Sequence, residues 1–355
     1  AIVFDDIRII LGNSNRRFTG VTSTLLQVLE EQKQLTGVAV LGRHNLPRGV
    51  CALGFGEMLR LCREPLPDGR WRVFHARRND EMIQALLARA LGARIKIAFT
   101  STAQRRHSRF TRWLMSRMDG IISTCTAAAA YLARPPDAII PHGVDISRYR
   151  PPVSRFEAWR ALGYPGDYGI GMFGRVRSSK GTDLLVDAAL ELLPQHPGAT
   201  VVICGSCQPA DRDFRRGLVQ KIGEAGLGER ILFIGEQPFE RLPGLFQGMS
   251  IVAALSRHEG FGLTPLEAMA CGCAVLTSRA GAWPDIVEDG VTGYTTATGD
   301  AGDVRARLAS MLQNRERTQS MGEEGRRLVE ARYSTVREAQ QLTDYLLGLA
   351  AGEAH

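Results

Sequence analysis

Short apolar runs of four to six residues recur along the whole chain, each followed by a stretch with helical spacing, and this alternation limits the fold more than any other feature. Strands covered on both faces read as near-continuous apolar runs, and strand–helix alternation joins them as right-handed crossovers within parallel sheets. In the first half the pattern predicts strands at 7–11, 38–41, 71–75, 94–99, 120–123 and 138–140, with a helix over 22–35 after the first. Strand patterns then resume at 168–173, 199–204, 230–234, 250–255 and 274–277. Between the two series, Arg150-Pro151-Pro152 breaks the periodicity and opens a connecting stretch that runs to Asp167. A chain of 355 residues exceeds one ordinary core and suits two. The expectation is therefore two doubly wound α/β domains, 1–150 and 151–335, facing across a cleft, with ligands at the carboxyl ends of the strands. A final segment, 336–355, is expected to be helical.

Charge separates the two halves. Residues 1–150 carry 23 Lys and Arg against 12 Asp and Glu, whereas the remainder carries 21 against 25. The first half is thus +11 and suited to a negative partner: nucleic acid, an anionic membrane surface or an acidic saccharide. No recognised nucleic-acid motif appears. No apolar run reaches the roughly 18 residues of a membrane span and no signal peptide opens the sequence, so a cytoplasmic chain is expected. Seven cysteines, an odd number, read as reduced thiols. Cys204-x-x-Cys207 and Cys271-x-Cys273 fall at strand edges and suit core packing better than the four ligands of a zinc site. Asp211-x-Asp213 falls where a helix begins and reads as capping. No metal is expected.

The densest chemistry lies between Ser256 and Glu267. Glu259 and Glu267 stand eight positions apart, separated by Gly260-Phe261-Gly262 and by a Thr264-Pro265 pair that can open a helix. The backbone N–H groups at Phe261, Gly262, Leu263 and Thr264 are then available to an anion. Upstream, Gly174, Arg175 and Lys180 occupy the loop after the strand ending at Phe173, a loop that puts two cations beside a helix start and so suits a diphosphate. Phe18-Thr19-Gly20-Val21-Thr22 places Gly20 at another helix start, a further phosphate or sugar contact.

Together these segments resemble the retaining glycosyltransferases of the GT-B fold, family 4. The resemblance rests on the Glu-x7-Glu spacing, on residues 173–181, on Pro141-His142-Gly143-Val144-Asp145 and on Gly281-Ala282-Trp283-Pro284-Asp285, in family order over essentially the full chain. Within the family the chain is most similar to lipopolysaccharide-core mannosyltransferases, through residues 16–24, 75–79 and 102–107. What the resemblance implies is a metal-free enzyme moving a hexose, mannose from GDP-mannose, to an acidic lipid-linked saccharide such as the Kdo region of the lipopolysaccharide inner core, with the C-terminal helix, 336–355, returning to the first domain. Arg175 and Lys180 would bind the donor diphosphate, Glu259 the transferred sugar and Glu267 the ribose. Arg16, Arg17, Arg77, Arg78, Arg105, Arg106 and His107 would meet the acceptor, with the protein held peripherally on the cytoplasmic face of the inner membrane. The chain departs from the family in two places. Ser101 and Thr102 stand where many members have a sugar-side histidine, leaving His75 and His107 as substitutes, and the segment Gly281-Ala282-Trp283-Pro284-Asp285 stands where relatives commonly have two glycines and a glutamate. A nucleotide-sugar epimerase or hydrolase on the same fold, and a nucleic-acid-binding protein using the basic half, are the competing readings.

Overall fold

The computed structural model describes residues 6–14 and 20–352. The chain forms two compact units, one running to Gly143 and resuming at Thr335, the other spanning Val144–Ser334. Residues 144–150 thus belong to the second unit.

The first unit contains a seven-stranded sheet: β1 (Ile7–Gly12), β2 (Gly37–Leu41), β3 (Ala52–Leu53), β4 (Arg72–Ala76), β5 (Ile95–Ser101), β6 (Gly120–Ser123) and β7 (Ala138–Ile139). Their order across the sheet is β3-β2-β1-β4-β5-β6-β7 and every pairing is parallel. Alternate residues of each strand feed separate cores, as a period of two requires. Ile10, Phe74 and Ile97 join one cluster, while Ile9, Leu11, Val73 and Ala98 join the other. The second cluster is closed by the C-terminal helix Thr335–Ala351, whose Ala339, Leu342, Tyr345 and Leu346 pack with Leu25, Val28 and Leu29 of the helix Gly20–Leu35. Gly120 permits this docking, because a Cβ there would lie 2.1 Å from the Tyr345 hydroxyl. That hydroxyl donates to Asp137 at 2.9 Å.

The second unit contains β8 (Tyr168–Phe173), β9 (Ala199–Cys204), β10 (Ile231–Gly235), β11 (Met249–Ala254), β12 (Ala274–Ser278) and β13 (Gly293–Thr296), in the parallel order β10-β9-β8-β11-β12-β13. Order reverses between β8 and β11, so the loops leaving those neighbouring strands diverge and leave a crevice at their carboxyl ends. Every strand expected from sequence is present. β3 and β13 are additional, too short and too polar to stand out as apolar runs. The stretch after Arg150 contains the helix Arg155–Leu162, which buries Trp159 in the second unit. The helical tail is two helices, Arg315–Arg332 and Thr335–Ala351, broken at Tyr333-Ser334. Among the described residues no helix is long and apolar enough to cross a membrane.

Candidate active site

The crevice between β8 and β11 brings together residues 79 positions apart. After β8 the chain turns through Gly174 and Arg175 to a tight turn at Ser178–Lys180 and then Gly181, which opens the helix Thr182–Leu192. Gly181 has φ +73° and its Cβ position lies 2.2 Å from the Leu255 carbonyl, so only glycine lets this loop close onto the end of β11. The consequence is an ion pair between Lys180 Nζ and Glu259 Oε2, with side chains 25% and 17% exposed. Ser256 Oγ donates to the same carboxylate oxygen at 3.1 Å, and the Gly260 N–H donates to Oε1 at 3.2 Å. Arg257 clamps the loop from the other side, binding both Asp183 oxygens at 2.9 and 2.7 Å. Arg175 is exposed and has no ion-pair partner among the described residues, so it is the cation most open to an incoming anion.

Past Glu259 the loop turns at Gly262, φ +81°, into the helix Thr264–Ala270 with Pro265 in its first turn. A Cβ at Gly262 would lie 2.6 Å from Trp283 Nε1, which instead donates to the Gly262 carbonyl at 3.0 Å. Trp283 is thus the floor that sets this loop, a positioning role that sequence reading missed; its large indole in a glycine-rich turn was the available signal. Asp285 is exposed. The N–H groups of Gly262, Leu263 and Thr264 find no acceptor among the described residues. Phe261 is buried.

Glu267 and Thr264 line a hollow of about 290 Å³ with Phe173, Gly174, Arg175, Cys204 and Glu236. Burial pushes the Glu267 carboxyl up to about 7, against the opposing pull of the Tyr149 hydroxyl and the Arg148 guanidinium. The folded protein therefore holds a proton on Glu267 that the unfolded chain, with a pKa near 4.5, has lost. Stability associated with this group is present below pH about 4.5 and is lost as pH rises toward about 7. Glu267→Gln should remove that dependence, so that urea melts at pH 5 and pH 8 show the variant gaining on the wild type by up to about 3 kcal/mol. Parallel pH profiles for the two proteins would refute the buried carboxyl. A larger hollow, about 750 Å³, lies at the amino ends of the same strands. Its Arg155 and Arg326 are consumed by backbone carbonyls of Cys271, Gly272, Tyr149 and Ala270, which makes them structural.

In the first unit the loops after β1 and β4 converge on Glu81, whose side chain is fully buried. It accepts from the Arg77 N–H at 2.7 Å, Arg78 Nη1 at 3.2 Å and Ser14 Oγ at 3.3 Å. Arg78 also donates to Thr22 Oγ1 at 3.1 Å, so its charge is committed to shaping these loops. Arg77 keeps one buried guanidinium nitrogen without a partner, and burial lowers its pKa. His75 is fully buried with Nε2 2.6 Å from Thr100 Oγ1, and burial holds its pKa well below the usual range, so it remains neutral. His107 lies 3.4 Å from Ser101 Oγ, and burial together with Arg105 lowers its pKa. Arg105 and Arg106 are exposed. Gly20 begins the helix Gly20–Leu35. Arg16 and Arg17 lie outside the described residues.

The thiols remain apart as cysteines, five of the seven buried. Among the described residues no cluster of three His, Cys, Asp or Glu could hold a metal. Asp211 sits at the start of the helix Arg212–Glu224 without a side-chain capping bond.

Comparison with known proteins identifies the architecture. Residues 157–328 match the model for glycosyl transferases group 1. The lipopolysaccharide core biosynthesis mannosyltransferase LpcC of Rhizobium leguminosarum bv. viciae is 40% identical over 95% of both chains. The chain belongs to the group 1 glycosyltransferases. LpsB of Rhizobium meliloti, also named a lipopolysaccharide core biosynthesis mannosyltransferase, is 37% identical over 95% of this chain and 96% of its own. HepE of Anabaena, solved with UDP, aligns over 96% of this transferase and all of its own chain with a TM-score of 0.81 at 19% identity, which establishes the GT-B fold. The protein is therefore a glycosyltransferase of two parallel-sheet domains.

Proposed function

We propose that this transferase moves mannose from GDP-mannose to an acidic lipid-linked saccharide, the Kdo region of a lipopolysaccharide inner core, with retention of configuration and at the cytoplasmic face of the inner membrane. The observation that carries the reading is the Lys180–Glu259 pair beside unpaired Arg175 at the switch point of the second sheet. Arg175 and Lys180 offer fixed cations where a diphosphate gathers charge as the glycosidic bond breaks, which is where preorganised charge lowers a barrier most. Glu259 holds Lys180 in place and offers its second oxygen to sugar hydroxyls. Glu267, with a pKa near neutrality, suits a ribose hydroxyl. The free N–H groups at Gly262, Leu263 and Thr264 suit sugar and phosphate oxygens.

No further carboxylate is needed as a base. The acceptor oxygen attacks the anomeric carbon on the face that the diphosphate leaves, and the departing phosphate oxygen takes the acceptor's proton. Both glutamates remain in binding roles, unlike the paired carboxylates of retaining hydrolases. The +11 balance of residues 1–150 and the exposed charges of Arg105 and Arg106 support an acidic acceptor on the first unit. The mannosyltransferase relatives, matched over nearly their whole length, support the sugar.

A thermal-shift panel tests the donor. GDP at 100 times its Kd should stabilise the fold by about 2.7 kcal/mol through mass action, UDP and ADP less, and Arg175→Ala should abolish the shift. Equal silence from all three nucleotides would remove the donor assignment.

A further inference from the structure

The helix Arg109–Met115 buries Thr111, Leu114 and Met115 and turns its other side outward. On that side Phe110 and Trp113 are 54% and 50% exposed, with their rings stacked at 6.1 Å. The Arg117 guanidinium lies 5.5 Å from the Trp113 ring centroid. Residues 103–118 contain five arginines, at 105, 106, 109, 112 and 117, and not one Asp or Glu. None of the five has an ion-pair partner among the described residues. The neighbouring helix Asn79–Ala90, joined to it by Asn79 Nδ2 donating to Thr111 Oγ1 at 2.8 Å, leaves a second apolar stripe at Ile83 and Leu87 that continues to Leu91.

Scattered exposed apolar side chains are ordinary, but stacked aromatics ringed by unpaired arginines form an amphipathic surface. Aromatic rings settle at the boundary between headgroups and acyl chains, and arginines beside them reach phosphates while their stems lie on apolar surface. A basic segment without an acid between residues 103 and 118 is also attracted to the negative potential of an anionic leaflet, at about fivefold in affinity per arginine near the surface.

We propose that the face made by Phe110 and Trp113 with Arg109, Arg112 and Arg117 is a docking surface for an anionic lipid bilayer, inserting the two rings to headgroup depth. This deepens the function proposed above and rests on it only for the lipid-linked acceptor; the contact itself needs no nucleotide. Arg105 and Arg106 remain with the acceptor in this division of labour.

Sedimentation of the full chain with vesicles of phosphatidylglycerol and phosphatidylcholine, against phosphatidylcholine alone, tests it. Wild-type protein should partition at least tenfold better onto the anionic vesicles, and raised salt should release it. The pair Phe110→Ser and Trp113→Ser, and separately the triple Arg109→Gln, Arg112→Gln and Arg117→Gln, should each lose at least tenfold while keeping the wild-type circular dichroism and the GDP thermal shift. Conservative Trp113→Phe should keep binding yet lose most quenching of tryptophan fluorescence by brominated lipid. Wild-type vesicle binding by both variant sets would overturn the proposal. So would a self-association that Phe110→Ser and Trp113→Ser abolish, since a second copy would then own the face, or retention on RNA with none on vesicles. If vesicle binding stands while no nucleotide shifts the protein, the donor reading fails alone; if GDP binds and vesicles do not, only the docking surface fails.

Discussion

Lys180→Ala is expected to lower kcat by about 100- to 1000-fold while leaving the fold intact. That is the range seen when one preorganised donor is removed from a site of developing negative charge. The lysine sits on a loop at the mouth of β8, not in the core, so its side chain contributes little packing. Its loss acts twice: a leaving diphosphate misses a cation, and Glu259 loses its charged partner while keeping the hydrogen bonds from Ser256 and the Gly260 N–H. Because the two residues form one unit, Glu259→Ala combined with Lys180→Ala should cost less than the product of the single losses. Strict multiplicativity, or full activity in Lys180→Ala, would separate the pair from the chemistry.

Glu81→Ala should destabilise the first unit by about 3 to 5 kcal/mol, the cost of removing one partner from a buried charge pair. Its carboxylate fills a space that Gly12 leaves open, since a Cβ on Gly12 would lie 2.8 Å from it. Without it, the Arg77 N–H and the Arg78 guanidinium lose their acceptor together. Glu81→Gln keeps an oxygen in place and should cost less. Urea unfolding followed with and without GDP reads the effect, because a ligand of the second unit stabilises that unit and leaves the weakened transition visible by itself. A loss below about 1 kcal/mol would mean that water replaces the carboxylate at those donors.

Much of this was legible in the sequence because both sheets are parallel and covered on both faces. Their strands therefore appear as apolar runs, and the helix opened by Thr264-Pro265 carries its own start signal. The spacing of Glu259 and Glu267 marked the candidate site, and the loop holding Arg175 and Lys180 marked its neighbour. Their pairing was not legible, since it depends on β8 and β11 lying side by side although β9 and β10 separate them in the chain. For the same reason Glu267 gave no sign of its raised pKa, which comes from burial, a product of tertiary packing that outweighs the opposing pull of Tyr149, more than a hundred residues away in sequence. Arg78 looked as free as Arg77 because both follow one strand; only the loop geometry around Glu81 distinguishes them. β3 and β13 escaped notice because two residues, or Gly-Tyr-Thr-Thr, make no apolar run.

The central claim is transfer of mannose, with retention, from GDP-mannose to an acidic lipid-linked acceptor. Incubating the protein with GDP-α-mannose and a Kdo-bearing lipid A, and reading the anomeric signal of the purified product by NMR, tests it most directly. The account predicts acceptor-dependent release of GDP and a single new α-mannosyl linkage, with free mannose a minor product. A β-linked product would contradict the front-face route, and release of mannose without incorporation into the acceptor would make the protein a hydrolase on the same fold.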